Sequence, residues 1–359
     1  MVFVTPNVII ICARPHGHMR YDIIPILVMS VTLSFLLPAV LAHSPLGTGD
    51  NESLATATPV PDPAKSWAIY GELHEGGEAQ YFRFDMAEGQ RVHVGLLTST
   101  RPDDGGFIPS LVLMGPGLGV EDPAPDYVEV PEGAGIMVVE GRRPAQAMYE
   151  PFTPSSLYPL ADIDLDAPDS GTYYVAVYES QRGGHYTVAI GDREYYSIVE
   201  YVLIPISLMS IYQWGGQSPA LVYAPMALVL ASGLGLLAWK WRDQGIVNTP
   251  SGWIGASAGL LFLGTCATVL LQMVLSLASA PLVPEVALTL LFALMPAALG
   301  VAVLRIGLRA KKIDARTRIY LAILGVLALF AWAGLLIGPA LSLLASMLPA
   351  RYLTNRENL

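Results

Sequence analysis

Apolar and polar positions alternate in short bursts through the first half of the chain and run together in long blocks through the second. In the first half, Phe82 and Phe84 flank Arg83. Val92, Val94 and Leu96 alternate with Arg91, His93 and Gly95. A period of two is the mark of a half-buried strand. Strands are expected at 66–70, 81–86, 91–97 and 110–114, with weaker segments at 127–130 and 135–140. A closing hairpin is expected from 172–178 and 185–190, turning across Ser180, Gln181, Arg182, Gly183 and Gly184. Gly and Pro turns separate these strands and helical periodicity is absent, so the first half reads as an all-β antiparallel sandwich over residues 65–192.

Four apolar blocks follow, at about 219–239, 253–279, 285–308 and 319–348. Each reaches the roughly 20 residues a spanning helix needs. The expected fold class is therefore a multidomain membrane protein: the sandwich, then an all-α four-helix transmembrane bundle over 218–349. Lys240 and Arg242 follow the first block, and Arg309, Lys311, Lys312, Arg316 and Arg318 precede the fourth, whereas 279–284 has no Lys or Arg. The positive-inside rule puts both basic connections in the cytoplasm. The sandwich and the tail 350–359 are then extracytoplasmic, and the protein a multi-pass plasma-membrane protein. Trp214, Trp239, Trp241, Trp253 and Tyr352 fall near block ends, as interface anchors do.

Between the halves lies 193–217, too short for a comfortable span, carrying Glu200 and interrupted by Pro205. Its polar residues recur near helical spacing, which predicts an amphipathic helix lying on the outer leaflet. Gly215 and Gly216 then turn the chain down into the first span.

At the other end, 23–42 is an apolar run preceded by Arg14 and Arg20 and closed by Val40 and Ala42. That is a secretory signal pattern over 1–42, with an uncleaved anchor as the alternative. Met19 followed by Arg20 makes a more compact signal start, so 1–18 are expected to lie upstream of the true start. The stretch 43–64, rich in Ser, Thr, Gly and Pro, reads as a flexible arm. It contains Asn51-Glu52-Ser53, a formal glycosylation sequon.

Charge separates the halves further. Residues 43–197 hold 24 acidic against 8 basic residues, a formal −16, and the rest of the chain is +6. An acidic ectodomain excludes nucleic acid as partner. Two cysteines, Cys12 and Cys266, make no disulfide framework.

The strand pattern also carries a resemblance. Gly71-Glu72-Leu73, then 78–84 (EAQYFRF), then 87–94 (AEGQRVHV), resemble the pre-peptidase C-terminal domain. Its next strand and turn are matched by 110–117 (SLVLMGPG), and its closing hairpin by 171–177 and 184–190. The longer, Pro-rich stretch 118–170 departs from the family, and no peptidase accompanies the domain. The resemblance implies a jelly-roll-like binding or accessory module and no catalysis.

Candidate chemistry is sparse. Asp162, Asp164, Asp166 and Asp169 read either as a calcium loop or as a solvated acidic loop; Ala167 stands where an EF-hand needs glycine. His43, first residue after cleavage, would chelate copper through its amine and imidazole, against the plainer reading of a mobile arm. Tyr149, Phe152 and Tyr158 lie in an aromatic, Pro-rich stretch suited to ligand contact or to packing across the sandwich. Gly255 and Gly259 read as small-residue helix packing rather than a nucleophile elbow, since no strand precedes them. The apolar blocks carry no His, Asp or Lys in mid-span, which argues against a pump. No nucleophile–base pair assembles, so no enzyme is expected. The leading expectation is a membrane protein displaying an acidic sandwich for binding, adhesion or assembly with an envelope protein or surface ligand. Copper delivery is the alternative, a membrane enzyme the last. Membrane lipids are expected partners, with self-association through the helix bundle.

Overall fold

A computed structural model describes residues 43–119, 123–244, 249–309 and 314–348. The signal segment, residues 1–18, Lys311, Lys312 and the tail 350–359 lie outside them.

Among the described residues, eleven strands form two facing sheets. They are β1 (Ser44–Leu46), β2 (Thr58–Pro59), β3 (Trp67–Glu75), β4 (Glu78–Met86), β5 (Arg91–Ser99), β6 (Ser110–Gly115), β7 (Gly135–Val139), β8 (Met148–Glu150), β9 (Ser155–Asp166), β10 (Gly171–Glu179) and β11 (Arg182–Ile190). The six-stranded sheet runs β1-β3-β11-β5-β9-β8, and the five-stranded sheet β2-β4-β10-β6-β7. The alternation in sequence supplies the core between them. Phe82 and Phe84 come from one sheet, Val92, Val94 and Leu96 from the other, and all are buried. Tyr186 lies flat over its cross-strand partner Gly71, where a Cβ would come within 2.4 Å of the ring. Only glycine leaves room for that ring.

Three expectations for this half change. The arm 43–64 is packed, not flexible: β1 and β2 add in parallel to β3 and β4. Asn51 is buried, donating to the Tyr81 carbonyl and accepting the Tyr81 N–H, so the sequon is closed to an acceptor role in the fold. The segment 127–130 forms turns instead of a strand, with Val128 buried under the five-stranded sheet. The acidic stretch Asp162–Asp166 belongs to β9, a twelve-residue strand. There Leu160 and Ile163 face the core and the aspartates face out.

Six α-helices follow among the described residues: α1 (Ile198–Trp214), α2 (Pro219–Gln244), α3 (Pro250–Leu277), α4 (Val286–Arg309), α5 (Ala315–Phe330) and α6 (Ile337–Met347). Of these, α2, α3 and α4 are long and apolar enough to cross a membrane. The contact of α3 with α4 runs through glycine: a Cβ on Gly259 would lie 2.9 Å from the Gly300 carbonyl, and one on Gly300 2.7 Å from that of Gly259. Gly255 faces Ala345 of α6 at ordinary contact distance instead. Backbones approach closely where side chains are missing.

The fourth apolar block is not one span. It breaks at 331–336, and α5 and α6 fold back on each other. Ser342 Oγ donates to the Leu321 carbonyl at 2.8 Å, and Ser251 Oγ to the Ala345 carbonyl at 2.6 Å. The end of α6 therefore stands beside the start of α3, at the bundle end where α5 begins. The expected single crossing of this block is thus replaced by a helical hairpin. In the turn, Trp332 and Leu335 adopt φ of 51° and 55°, backbone that costs about 1–2 kcal/mol for a residue with a Cβ. Protein surrounds the exposed backbone, as non-helical chain at membrane depth requires: Thr265 Oγ1 accepts the Gly334 N–H at 2.7 Å, and Ala333 is fully buried.

Helix α1 starts with a capping box, Ser197 and Glu200 each bonding the other's backbone N–H. It is apolar on all sides rather than amphipathic. Ile198, Val199, Leu203 and Ile206 are exposed while Pro205, Met209 and Tyr212 are buried. Two of its polar groups reach the sandwich: Glu200 pairs with Lys65, and Trp214 Nε1 donates to the Gly71 carbonyl.

Candidate functional site: a cavity between sandwich and helices

The outward face of the six-stranded sheet rests on α1 and on the ends of α3 and α4. Ala68, Tyr70, Thr187 and Ala189 point this way because their neighbours Trp67, Ile69, Val188 and Ile190 fill the core. Besides the bond from Trp214 Nε1 to the Gly71 carbonyl, three polar joints hold the two halves together. Lys65 Nζ bonds Glu200 Oε1 at 2.6 Å and stands 4.1 Å from the centre of the Trp67 ring. Arg101 reaches the Trp214 carbonyl at 3.4 Å, where a cation meets the negative end of α1. Tyr149 Oη contacts Thr289 Oγ1 at 2.8 Å, and Thr289 donates to the Pro151 carbonyl at 2.7 Å. An apolar patch of Ala147, Tyr149, Ala280 and Val286 completes the seam, with Phe152 on Phe292 at 5.5 Å.

The seam does not close everywhere. A cavity of about 230 Å³ remains between sheet and helices. Tyr70, Thr187 and Ala189 form its roof, and Glu150, Phe152 and Ser155 one wall. Ile204, Ser207, Tyr212 and Trp214 of α1 form the other, and Ser276 and Trp332 the floor. Trp214 meets Tyr70 edge-on at 5.0 Å. Gln217, on the lining, exchanges two hydrogen bonds with buried Gln272 of α3, at 2.6 and 2.7 Å.

Glu150 is the only carboxylate on this lining, and no Lys or Arg lies on it among the described residues. Its Oε1 accepts the Phe152 N–H at 3.0 Å. Burial outweighs that bond and pushes the carboxyl up to about 7, with the nearby charge of Glu194 adding to the shift. Burial also raises Glu194 and the Tyr70 phenol. His43, on the rim, is pushed down by burial and by His93, so it stays neutral at pH 7. Its Nδ1 bonds Ser66 Oγ.

The residues singled out in sequence scatter around this seam. Asp162, Asp164 and Asp166 alternate down β9, so adjacent carboxylates sit roughly 7 Å apart on one face. Asp162 meets His93 Nε2 at 3.2 Å. Asp164 is clamped by Arg91 through two bonds of 2.7 Å, which holds it below the usual carboxylate range. Asp169 lies beyond the strand, where Tyr173 Oη donates to its carbonyl. The four do not converge as a ligand set. Tyr149, Phe152 and Tyr158 all pack toward the protein's own helices, Tyr158 against the Ala147–Val286 patch with Arg143 standing 4.1 Å from its ring centre. Glu150, Tyr70, Trp214 and Trp332 were missed in sequence; the one signal was a lone acid inside an aromatic, Pro-rich run.

A second, open pocket is lined by Glu52, Glu72, His74, Arg101 and His185. Ligand atoms of Glu52, His74 and Glu78 lie within 4.8 Å of one another at its edge. Glu78 already accepts the His74 N–H and raises the His74 imidazole through a hydrogen bond, so an ion pair accounts for this group.

The sequence matches no protein-family model, and no curated protein matches it.

Proposed function

We propose that this protein is a membrane-anchored binding protein whose ligand sits in the cavity between the sandwich and the helices. The cavity carries the reading. It is walled by aromatic rings with one carboxyl, it draws its lining from both halves, and a small organic ligand fits it. A molecule bound there touches Tyr70 of the sandwich and Trp332 of the hairpin turn at once, so occupancy is coupled to the seam. In this reading the sandwich is a jelly-roll-like accessory module of the pre-peptidase C-terminal type and performs no catalysis. Positive-inside placement puts Lys240, Arg242, Arg316 and Arg318 in the cytoplasm. The sandwich meets the opposite end of the bundle, which agrees with an outer position. The exposed apolar side chains of α1 then lie in the outer leaflet, so α1 is a seam helix touching lipid.

Ser207→Trp fills the cavity from α1 and tests the reading. Small molecules extracted from the purified full-length protein are compared with those from the variant by mass spectrometry. We expect a species bound near one per chain, depleted at least about tenfold in the variant. Ala189→Leu, in the roof, repeats the test if Ser207→Trp does not fold. Identical extracts from wild type and folded variant would overturn it.

A further inference from the structure

The lining of the seam cavity says what kind of ligand it takes. It offers the faces and edges of Tyr70, Tyr212, Trp214 and Trp332, a single carboxyl at Glu150, and hydroxyls at Ser207 and Ser276. Anions find no counter-charge on this surface, and a purely apolar guest would leave Glu150 buried beside hydrocarbon. An organic ammonium group satisfies both features, because aromatic rings attract a cation through their quadrupole and a carboxylate pairs with it directly. We infer that the cavity binds a small organic cation, an amine or quaternary ammonium group, held between the aromatic rings and Glu150. The inference rests on the binding reading above and adds the ligand's charge.

The surroundings of Glu150 supply the rest of the argument. Facing it are Glu194 from the segment after β11, Tyr70 from β3, the neighbouring Tyr149, Tyr196 before α1, and His43 on the rim. None of these brings a positive charge at neutral pH, since His43 is held neutral. Lys65 is committed to Glu200, and Arg101 to Asp103, His185 and the Trp214 carbonyl. Any charge that pairs with ionised Glu150 therefore comes from outside the described residues. A cation on Glu150 favours its ionised form, so affinity rises with pH as the carboxyl loses its proton. The group has two sources, a free amine compound or the headgroup of an outer-leaflet lipid, and the chemistry of recognition is shared.

Choline is titrated against the full-length protein in detergent, following tryptophan fluorescence, which reports through Trp214 and Trp332. Its neutral isostere 3,3-dimethylbutan-1-ol is the control. We expect saturable choline binding at least about tenfold tighter than the isostere, reduced about tenfold in Glu150→Gln. Binding should strengthen from about pH 6 to about pH 8 as Glu150 ionises. Equal binding of choline and isostere would overturn the charge assignment while leaving the cavity as a ligand site. Binding of neither would also overturn it, and the bound-species comparison with Ser207→Trp then decides the broader reading separately. Nanodiscs identify the source. Weaker choline binding in phosphatidylethanolamine than in phosphatidylglycerol supports a headgroup ligand, and equal binding supports a free cation.

Discussion

The two outward faces of the sandwich are covered in different ways. Over the five-stranded sheet, the chain covers itself: Leu54 and Ala57 from the arm, with Ala124, Val128 and Val130, lie on Ala79, Tyr81, Val112 and Ala176. That cover is made of the chain's own packed side chains. Over the six-stranded sheet, the cover is the membrane half, joined at a few polar points around a cavity. The first face is closed by close packing, which carries stability. The second gives up packing for contacts between two bodies and a partly open cavity, and it is there that a ligand could act on both. Substitutions on the two faces should therefore fail differently.

The largest effect is expected at Tyr81, 1% exposed, whose Oη accepts the Glu129 N–H at 2.7 Å. Tyr81→Ala deletes a buried ring and a bonded hydroxyl, and should cost about 3–5 kcal/mol. Tyr70→Ala on the other face should cost less than half of that, because its ring already borders empty space. Thermal melts of the two full-length variants check this. Equal losses would show that both faces are packed alike and would erase the comparison.

How much of this was legible in sequence follows the same divide. Strands whose two faces differ were readable: Phe82 and Phe84 against Arg83 announce β4. Strand β9 was not, because Asp162, Asp164 and Asp166 read as an acidic loop. Yet Ile163 and Leu165 between them keep the period of two that marked β5. Runs of apolar residues gave the spans but hid the hairpin, since hydropathy is blind to chain reversal. Gly334 and the Gly338-Pro339 pair were the available signals, a positive-φ residue and a helix start. The cavity was beyond reach. Its residues come from β1, β3, β5, β8, β9, β11, α1, α3 and the 331–336 turn, and no local pattern links them.

A second, smaller effect has the opposite sign. Glu150 holds its proton up to about pH 7 in the fold, against about 4.5 when exposed. The native state thus binds more protons than the unfolded state between these values. Stability from this group is fully present below pH about 4.5 and is lost as pH rises through about 7. Glu150→Gln keeps an acceptor for the Phe152 N–H and removes the ionisation. It should leave stability nearly unchanged at pH about 4 and raise it by at most roughly 3 kcal/mol at pH 8. Chemical denaturation of wild type and variant across this range measures it. A variant equally destabilised at both pH values would show that Glu150 is a structural acceptor and not an uncompensated charge in the cavity.

The smallest effect probes the seam itself. Thr289 is fully buried at the start of α4, and its hydroxyl takes the Tyr149 O–H while giving its own proton to the Pro151 carbonyl. Thr289→Val keeps the shape and removes both bonds, leaving a phenol and a carbonyl without these partners. The expected cost is about 1–2 kcal/mol. Where it falls is the informative part. If the seam couples the halves, losing this joint should separate one thermal transition into two, the sandwich melting independently of the helices. Choline should then no longer raise both transitions together, because the rings it touches belong to parts that open separately. A single, uniformly lowered transition would mean that Lys65–Glu200, Arg101 and the Trp214–Gly71 bond carry the coupling. The contrast between a self-covered face and a shared one would then rest on α1 rather than on the α3–α4 end of the seam.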